Sequence, residues 1–504
     1  MSSLQQLKTL LAELTNLGQA AAVLGWDQHT YMPPGGAEAR GEQIATLSKL
    51  MHEKFTASTV PRLIDGAETE VEGLPEGHLD KHIVRMTRYD YELANKIPSE
   101  LVAEDARTTT VAQSVWAVAR DKNDYAAFAP WLQKNIDIAR RKVEYYGYQD
   151  QPYDALLNLY EPKMLTRDVQ TLFDQVRPVV VAMVKKIVES GKSIDTSILR
   201  RHYPEAGQEA FAKAVVTAFG YSFYRGRLDK TVHPFATSFG RDDCRITTRY
   251  DENALAQAMM GVFHEAGHAM YEQNVGAELA MTPLSGGCSN SVHESQSRLW
   301  ENIVGRDPAF WASWFPRLQE TFPDVIGKGE SDVLTKALNT VEPSLVRVEA
   351  DEVTYNLHII IRFELEQALL SGSLSVEDAP AAWNEKYHDY LGITPASDTE
   401  GILQDIHWAM GGMGYFPTYS LGNFLSAQLF ETATAAKPEI LAEIASGQFG
   451  ALFAWLEENV WRDGRRYFPQ EQILKATGRN LETGPYLKYL TGKFGKVYGL
   501  DFTV

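Results

Sequence analysis

The stretch Gly261–Met270 reads GVFHEAGHAM and places two histidines four residues apart, with a glutamate directly after the first. Residues at positions i and i+4 lie on one face of an α-helix, about one turn apart, so His264 and His268 can bind one metal ion together. Glu265 then projects beside that ion, where it can act as a general base on an attacking water. Because the surrounding residues are apolar, the stretch predicts a buried helix that carries a metal site.

A catalytic zinc site needs a third protein ligand, and the same helix does not supply one. Three protein ligands leave the fourth position open for water. Tyr271 and Asn274 occupy the positions at which an extended HExxHxxGxxH motif would have its glycine and its third histidine. Glu272 lies about 12 Å from His264 along the helix, at a rise of ~1.5 Å per residue, which is too far for one ion. The third ligand must therefore come from another segment.

The segment 290–305, NSVHESQSRLWENIVG, offers the third ligand. Ser291 could cap a second helix that returns beside the first. Glu294, near the start of that helix, is the first candidate, while His293 and Glu301 are rival ligands. Glu294 could instead be a carboxylate that is favoured only by the helix N-terminus.

The overall composition excludes several classes of protein. The chain has 504 residues, of which 44% are hydrophobic and 23% charged, and its formal net charge is −18. A surface this acidic repels phosphate backbones and anionic lipid, so we expect neither a nucleic-acid nor a membrane partner. Two cysteines form no disulfide framework, and together with an N-terminus that lacks a signal-peptide pattern they predict a cytoplasmic protein.

The pattern of apolar residues is helical nearly throughout and predicts a single, mostly α domain over residues 1–504. One helix is predicted to start after Ser99 as its cap. Residues 221–252 depart from this helical pattern, because they are rich in Tyr, Phe, Thr and Gly, and polar and apolar residues alternate with period two in CRITTRY. They predict two or three short antiparallel strands beside the HExxH helix, with FGRDD at 239–243 as a turn.

Six short motifs follow one another along the chain and give it a family resemblance. They are HPF at 233–235, DxRxT at 243–247, HExxH at 264–268, HESQ at 293–296, VRxxAD at 346–351 and GxxQDxHW at 401–408. In this set the chain resembles the metallocarboxypeptidases of the carboxypeptidase Taq type. The resemblance implies a zincin-like helical saddle with two lobes flanking a long active-site cleft, and a homodimer. It also implies removal of single amino acids from the C-termini of peptide substrates.

The resemblance assigns roles to the residues of the metal motifs. It implies that His264, His268 and Glu294 bind zinc and that Glu265 is the catalytic base, as in the gluzincin class of HExxH peptidases. A site of two histidines and one glutamate also accepts cobalt or manganese, so either could replace zinc.

Three further residues are candidates for substrate binding. Arg347 lies in a segment that is predicted to be helical and could hold a carboxylate in a bidentate pair, or could form a structural ion pair with the acidic residues near it. Arg245 on the strand is the second choice for reading a terminal carboxylate. His233, together with Asp243 and Arg245, is expected to organise the strand region and the wall of the cleft.

Three residues near the C-terminal glycine-rich turn could act on the reacting carbonyl. Tyr415 or Tyr419 could donate a hydrogen bond to the oxyanion, or could be a wall residue of the site. His407 could be a second donor or a structural histidine, and Asp405 could orient it.

Two other functions remain open. The first is an endo-acting or dipeptide-releasing oligopeptidase of the same zincin fold, which would share the chemistry and differ in how substrate ends are recognised. The second is a non-catalytic metal-binding helical protein, against which an intact Glu265 argues.

Overall fold

The computed structural model describes residues 1–502 and is built mainly of α-helices, which confirms the predicted fold class. The chain divides into two compact units. Unit 1 comprises Met1–Asn95, Asp195–Leu338 and Leu429–Asn480, and unit 2 comprises Lys96–Ile194, Asn339–Gln428 and the chain from Leu481 on. The prediction of a single domain with two lobes stays a prediction. Within the described residues, no helix is both long and apolar enough to cross a membrane.

Unit 1 contains the predicted metal motif and the only β-sheet found between residues 1 and 502. Its helices are α1 (Ser3–Thr30), α2 (Ala37–Phe55), α3 (Val60–Val71), α4 (Leu79–Lys96), α9 (Glu205–Phe219), α10 (Leu255–Gln273), α11 (Asn290–Arg298), α12 (Pro308–Thr321), α13 (Ser331–Leu338), α17 (Glu439–Ala445), α18 (Gly450–Asn459) and α19 (Pro469–Thr477). A π-helix, Leu299–Val304, directly continues α11.

Unit 2 is helical in the part that the structure describes. Its helices are α5 (Ser99–Lys122), α6 (Tyr125–Tyr146), α7 (Tyr153–Leu157), α8 (Thr166–Glu189), α14 (Tyr355–Ser371), α15 (Ala379–Leu391) and α20 (Gly484–Tyr498). Helix α16 (Pro417–Ala436) begins in unit 2 and ends in unit 1. Ser99 is the first residue of α5 and not its cap, because Pro98 occupies the N-cap position without a side-chain bond.

The sheet has three short strands, and its pairing differs in one respect from the prediction. The strands are β1 (Leu228–Lys230), β2 (Ala236–Ser238) and β3 (Cys244–Thr248), in the order β1-β3-β2. β2 pairs antiparallel with β3 through the predicted FGRDD turn, in which Phe239 N donates to Asp243 O at 2.9 Å. β1 pairs parallel with β3, so the prediction of a purely antiparallel sheet was wrong. The segment between β1 and β2 carries the chain past β3 instead of forming a hairpin, and a sequence pattern does not distinguish these two connections.

Helix α10 lies in the core of unit 1, where α9, α11, the π-helix, β2 and β3 pack around it. The apolar residues of the motif region are fully buried, as predicted. Phe263 makes edge-on contacts with Phe219 and Phe310, at centroid separations of 5.3 and 6.0 Å. Buried aromatic pairs of this kind hold a helix in one orientation. The polar residues of α10 are thus held on a rigid element.

Candidate metal centre

The two histidines of α10 and the first glutamate of α11 converge on one point. His264 and His268 lie one turn apart, with ring centroids separated by 5.0 Å. Their Nε2 atoms lie 3.5 and 3.3 Å from the same oxygen, Oε2 of Glu294. All three potential ligand atoms lie within 4.8 Å of one another. This is the group that the sequence predicted from two separate segments.

The separations fit a metal ion better than they fit hydrogen bonds. Ligands at about 2.05 Å from a tetrahedral ion are about 3.3 Å apart. A charge-assisted hydrogen bond between imidazolium and carboxylate would be shorter, about 2.7–2.9 Å. The observed distances of 3.5 and 3.3 Å therefore match the edges of a coordination tetrahedron. The donor set of two imidazoles and one carboxylate suits a divalent cation such as zinc.

Two of the three metal-facing groups, Glu294 and His268, are held in a state that can bind a cation. Glu294 is buried, but Arg298 donates to its Oε1 at 2.7 Å. Burial alone would raise the pKa of Glu294, whereas Arg298 and the neighbouring histidines hold it well below its usual range. Burial also lowers the pKa of His268 to about 4, so this ring is neutral near pH 7. A carboxylate and a neutral imidazole are the forms that metal ions require. For His264, burial would lower the pKa, but the carboxylates of Glu294 and Glu301 hold it well above its usual range, so a bound cation replaces a proton there.

Glu265 lies beside this group on the same helix and is 8% exposed. Burial raises the pKa of Glu265 to about 7, the carboxylates of Glu294 and Glu301 add to the rise, and His264 opposes it. A general acid or base works best when its pKa lies near the working pH. The environment of Glu265 therefore suits the role of catalytic base that the sequence predicted.

The two rival ligands, His293 and Glu301, lie behind the histidines and outside the converging group. Glu301 Oε2 lies 2.8 Å from Nδ1 of His264, and His293 Nδ1 lies 2.6 Å from Nδ1 of His268. Burial would raise the pKa of Glu301, but Arg298, His264 and Arg306 together lower it to about 2. Both residues thus contact the ring edges that face away from Glu294. Sequence reasoning considered Glu301 and His293 only as metal ligands and did not predict their contacts with the Nδ1 atoms of His264 and His268.

The close approach of α10 and α11 is what brings the ligands together. A Cβ on Gly267 would lie 2.6 Å from the carbonyl oxygen of Gln296 and 2.6 Å from Cα of Ser297. Gly267 therefore lets the backbones of the two helices touch. The cap of α11 is Ser289, whose side chain accepts from Val292 N, and not Ser291 as predicted. Both serines fit a cap by residue type, and backbone geometry decides between them.

The other two predicted residues of unit 1 are Arg245 and His233. Arg245 donates from Nε and Nη2 to Asp243 at 2.8 and 2.7 Å. Its guanidinium also lies over the rings of Trp26 and Phe239, at 4.3 and 4.8 Å from their centroids. His233 is exposed in the segment between β1 and β2. Trp26 was not predicted as a partner of Arg245, because no spacing connects residues so distant in sequence.

In unit 2, the carboxylate of Asp405 lies between two arginines. Arg347 donates from Nη2 to Asp405 at 2.7 Å, and Arg362 pairs with its other oxygen at 2.6 Å. Arg347 also donates to the Tyr355 hydroxyl at 3.0 Å. The prediction of a helix around Arg347 was wrong, because Arg347–Glu349 form one 3-10 turn. The regular helix of this segment, α14, begins only at Tyr355.

His407, Tyr415 and Tyr419 form one cluster in unit 2, as the prediction grouped them. His407 Nε2 lies 3.3 Å from the Tyr419 hydroxyl, and the rings of His407 and Tyr415 are 5.4 Å apart. The predicted Asp405–His407 contact is loose, at 3.8 Å from Nδ1, so Asp405 binds mainly the two arginines. Burial lowers the pKa of His407 to about 4, which leaves the ring neutral.

A buried carboxylate, Glu366, supports the glycine-rich turn before Tyr415. Glu366 accepts hydrogen bonds from Trp408 Nε1 at 2.8 Å, Gly414 N at 3.0 Å and the Tyr153 hydroxyl at 2.5 Å. Burial raises the pKa of Glu366 to about 7 in spite of these three donors. Sequence reasoning did not identify Glu366, because this glutamate of the largely apolar helix α14 belongs to no motif.

Comparison with known proteins identifies the family. Residues 6–494 match the family described as carboxypeptidase Taq (M32) metallopeptidase. The chain belongs to the carboxypeptidase Taq (M32) metallopeptidase family. The resemblance predicted from the six motifs is thereby confirmed. As an M32 member the protein is a metallocarboxypeptidase, an enzyme that requires a divalent metal.

Relatives in the M32 family cover nearly the whole chain. It is 40% identical over 489 residues to Carboxypeptidase 1 of Bacillus subtilis, with 97% of each chain covered. It is 41% identical over 508 residues to Thermostable carboxypeptidase 1 of Thermus thermophilus, with 98% of this chain and 99% of the relative covered. The crystal structure of an M32 carboxypeptidase from Deinococcus radiodurans superposes with a TM-score of 0.95 at 42% identity, covering 99% of this chain and 100% of that one.

Proposed function

We propose that this M32 enzyme is a zinc carboxypeptidase in which His264, His268 and Glu294 bind the metal and that it removes single amino acids from peptide C-termini. The observation that carries the proposal is the convergence of two Nε2 atoms on one carboxylate oxygen, at 3.5 and 3.3 Å. Zinc is chosen because two imidazoles and a carboxylate with one open position form its usual catalytic site. Cobalt and manganese are the alternatives.

The mechanism assigns proton transfer to Glu265. When bound, a divalent cation at this site supplies Lewis acidity to the scissile carbonyl. Glu265 accepts a proton from the attacking water as the carbon–oxygen bond forms, and it donates that proton to the leaving nitrogen as the carbon–nitrogen bond breaks. A pKa near 7, caused mainly by burial, allows both transfers near neutral pH.

The metal and the base can be tested separately. We expect chelation to abolish peptide hydrolysis and Zn²⁺ or Co²⁺ to restore it, and full activity of a verified metal-free sample would refute the proposal. Glu265→Gln is expected to keep the metal and lose about 10²- to 10⁴-fold in turnover, the usual contribution of general-base catalysis. Glu278→Gln, at a half-exposed glutamate of the same unit, is the matched control. Loss of metal together with activity would instead make Glu265 a ligand.

The mode of cleavage is tested on a long unblocked peptide. Mass spectrometry of successive time points should show a ladder of products that shorten by one residue from the C-terminus. Products that shorten by two residues, or internal cuts, would favour the oligopeptidase alternative. An unchanged peptide in the presence of bound metal would favour the non-catalytic one.

For substrate recognition, we propose that Arg347 binds the terminal carboxylate and that Arg245 is the second candidate, with His233 as a further substrate contact. The support for Arg347 is a surplus of positive charge, since two guanidiniums share the single carboxylate of Asp405. For the oxyanion, the proposed hydrogen-bond donors are Tyr415 or Tyr419, together with His407.

The remaining proposals concern compartment and assembly. Both cysteines, Cys244 and Cys288, are buried and not in disulfides. Reduced cysteines are the norm in the cytoplasm, which we propose as the compartment. A homodimer is proposed from the resemblance, and sedimentation velocity at two protein concentrations tests it. A single monomeric species at both concentrations would refute the homodimer.

A further inference from the structure

We infer that His293 and Glu272 form a positioning relay that fixes His268 in the one tautomer able to bind the metal. The inference rests on the proposed function, because it takes His268 as a ligand. The observation behind it is a continuous line of contacts. His268 Nδ1 lies 2.6 Å from His293 Nδ1, and His293 Nε2 lies 2.8 Å from Oε1 of Glu272.

The positions of the protons follow from this geometry. His268 faces Glu294 with Nε2, at 3.3 Å, so Nε2 must offer its lone pair to a cation. The ring proton of neutral His268 is then on Nδ1, which donates to Nδ1 of His293. Because that atom accepts, the proton of His293 is on Nε2, and it donates to the carboxylate of Glu272. Each of the four ring nitrogens and the Glu272 oxygen thus has one role, as metal ligand, donor or acceptor.

The relay also explains why His293 is not a ligand. Both of its ring nitrogens are engaged, one by His268 and one by Glu272. The ring fits closely against Gly287, where an added Cβ would lie 2.7 Å from Cδ2 of His293. Tyr271 covers another side, with ring centroids 5.2 Å apart. These contacts restrict the His293 ring to the orientation that the relay needs.

The two proposed ligand histidines differ in how their Nδ1 atoms are connected to a carboxylate. His264 contacts Glu301 directly, at 2.8 Å through Nδ1. His268 reaches Glu272 only through His293, although Glu272 lies one turn further along α10. The carboxylate of Glu272 polarises the His293 ring through one hydrogen bond, and the ring thereby becomes a stronger acceptor for the second hydrogen bond, from His268. Such partners orient a ligand and raise its basicity, and losing them typically costs about 10- to 100-fold in metal affinity.

The test measures metal affinity and not activity. Apparent Kd values for Zn²⁺ and Co²⁺ are obtained at one fixed pH by competition with a chromophoric chelator, and the Co²⁺ absorption spectrum reports coordination geometry. His293→Leu is expected to weaken binding about 10- to 100-fold and to change the spectrum. His293→Asn should recover part of the affinity, because its Oδ1 can take the place of Nδ1 as an acceptor. His202→Leu, at an exposed histidine of the same unit, is the matched control and should bind as the parent does.

The carboxylate is tested by a second pair of variants, which also serves if His293→Leu does not fold. Glu272→Leu removes the acceptor and should weaken binding, whereas Glu272→Gln keeps an acceptor oxygen and should weaken it less. Parent-like affinity and spectrum in folded His293→Leu, or in both Glu272 variants, would overturn the relay. Glu294→Ala separates the two levels. If Glu294→Ala binds metal as the parent does, the proposed ligand set is wrong. If Glu294→Ala loses affinity while the His293 and Glu272 variants keep it, only the relay is wrong.

Discussion

Replacing Gly267 by alanine is expected to separate α10 from α11 and so to disturb a metal site that the substitution does not touch. Gly267 is neither a ligand nor a base. Its added Cβ would lie 2.6 Å from the Gln296 carbonyl oxygen and from Cα of Ser297. Both atoms belong to the backbone, so no side-chain rotation relieves the contact.

The size of the effect follows from these distances. Carbon atoms in contact prefer separations of about 3.5–4.0 Å, so the helices must move apart by roughly 1 Å. Overpacking of this kind costs about 1–3 kcal/mol of folding free energy. Glu294 lies two residues before Gln296 on the displaced helix, while coordination distances tolerate only about ±0.2 Å. We therefore expect Gly267→Ala to weaken metal binding by at least about 10-fold, by analogy with the loss of a supporting contact.

The assay is thermal unfolding with and without metal, together with chelator competition. Gly261→Ala is the matched control, since it is the same change on the same helix and its Cβ would meet only the Thr248 hydroxyl, at 3.9 Å. That variant should be as stable as the parent or up to about 1 kcal/mol more stable, because alanine favours the helix. If Gly267→Ala binds metal as Gly261→Ala does, the reasoning about helix approach is refuted.

Three further predictions follow from the site residues. Arg347→Ala should reduce the preference for peptide acids over C-terminal amides by about 30-fold or more, since losing a buried charged partner costs about 2–5 kcal/mol. The measurement is the ratio of hydrolysis rates on matched acid and amide peptides. An unchanged ratio would assign the role to Arg245. Glu294→Ala should weaken metal binding in chelator competition, and unchanged affinity would move the third ligand to Glu301. Burial raises the pKa of Glu366 from its ordinary value of 4.5 to about 7 in the folded protein, so the folded state binds its proton more tightly. The free energy of unfolding should therefore fall by about 3 kcal/mol as pH rises from 4.5 to 7 and then level off. Urea unfolding of the parent and of Glu366→Gln at several pH values measures this, and identical pH dependence in the two would contradict it.

The sequence was most informative where the chemistry is local. A helix repeats every 3.6 residues, so the spacing of His264 and His268 alone placed both rings on one face. The same geometry excluded Glu272 as a ligand, and in the structure Glu272 contacts His293 instead of joining the converging group. Helical periodicity likewise predicted the mostly α fold and the burial of the motif's apolar neighbours.

Sequence reasoning failed where tertiary contacts decide. It could not distinguish Ser289 from Ser291 as the cap of α11, since both residue types accept hydrogen bonds from a helix start. It did not foresee that Arg362 would share Asp405 with Arg347, because α14 and the 3-10 turn at Arg347 are connected only in the folded chain. The π-helix after α11, which carries Glu301, has no sequence signature either.

The order His293-Glu294 in the HESQ segment determines which side chain of α11 contacts each nitrogen of His268. Glu294 approaches the Nε2 edge of that ring, with Oε2 at 3.3 Å, and the preceding residue, His293, approaches the Nδ1 edge at 2.6 Å. Two consecutive residues of one helix thus hold opposite edges of one imidazole. A shift of α11 by one residue would place a different side chain at each edge, so both contacts would be lost together. The close packing at Gly267 fixes this register, which is why a change at a glycine that binds nothing is expected to act on the metal.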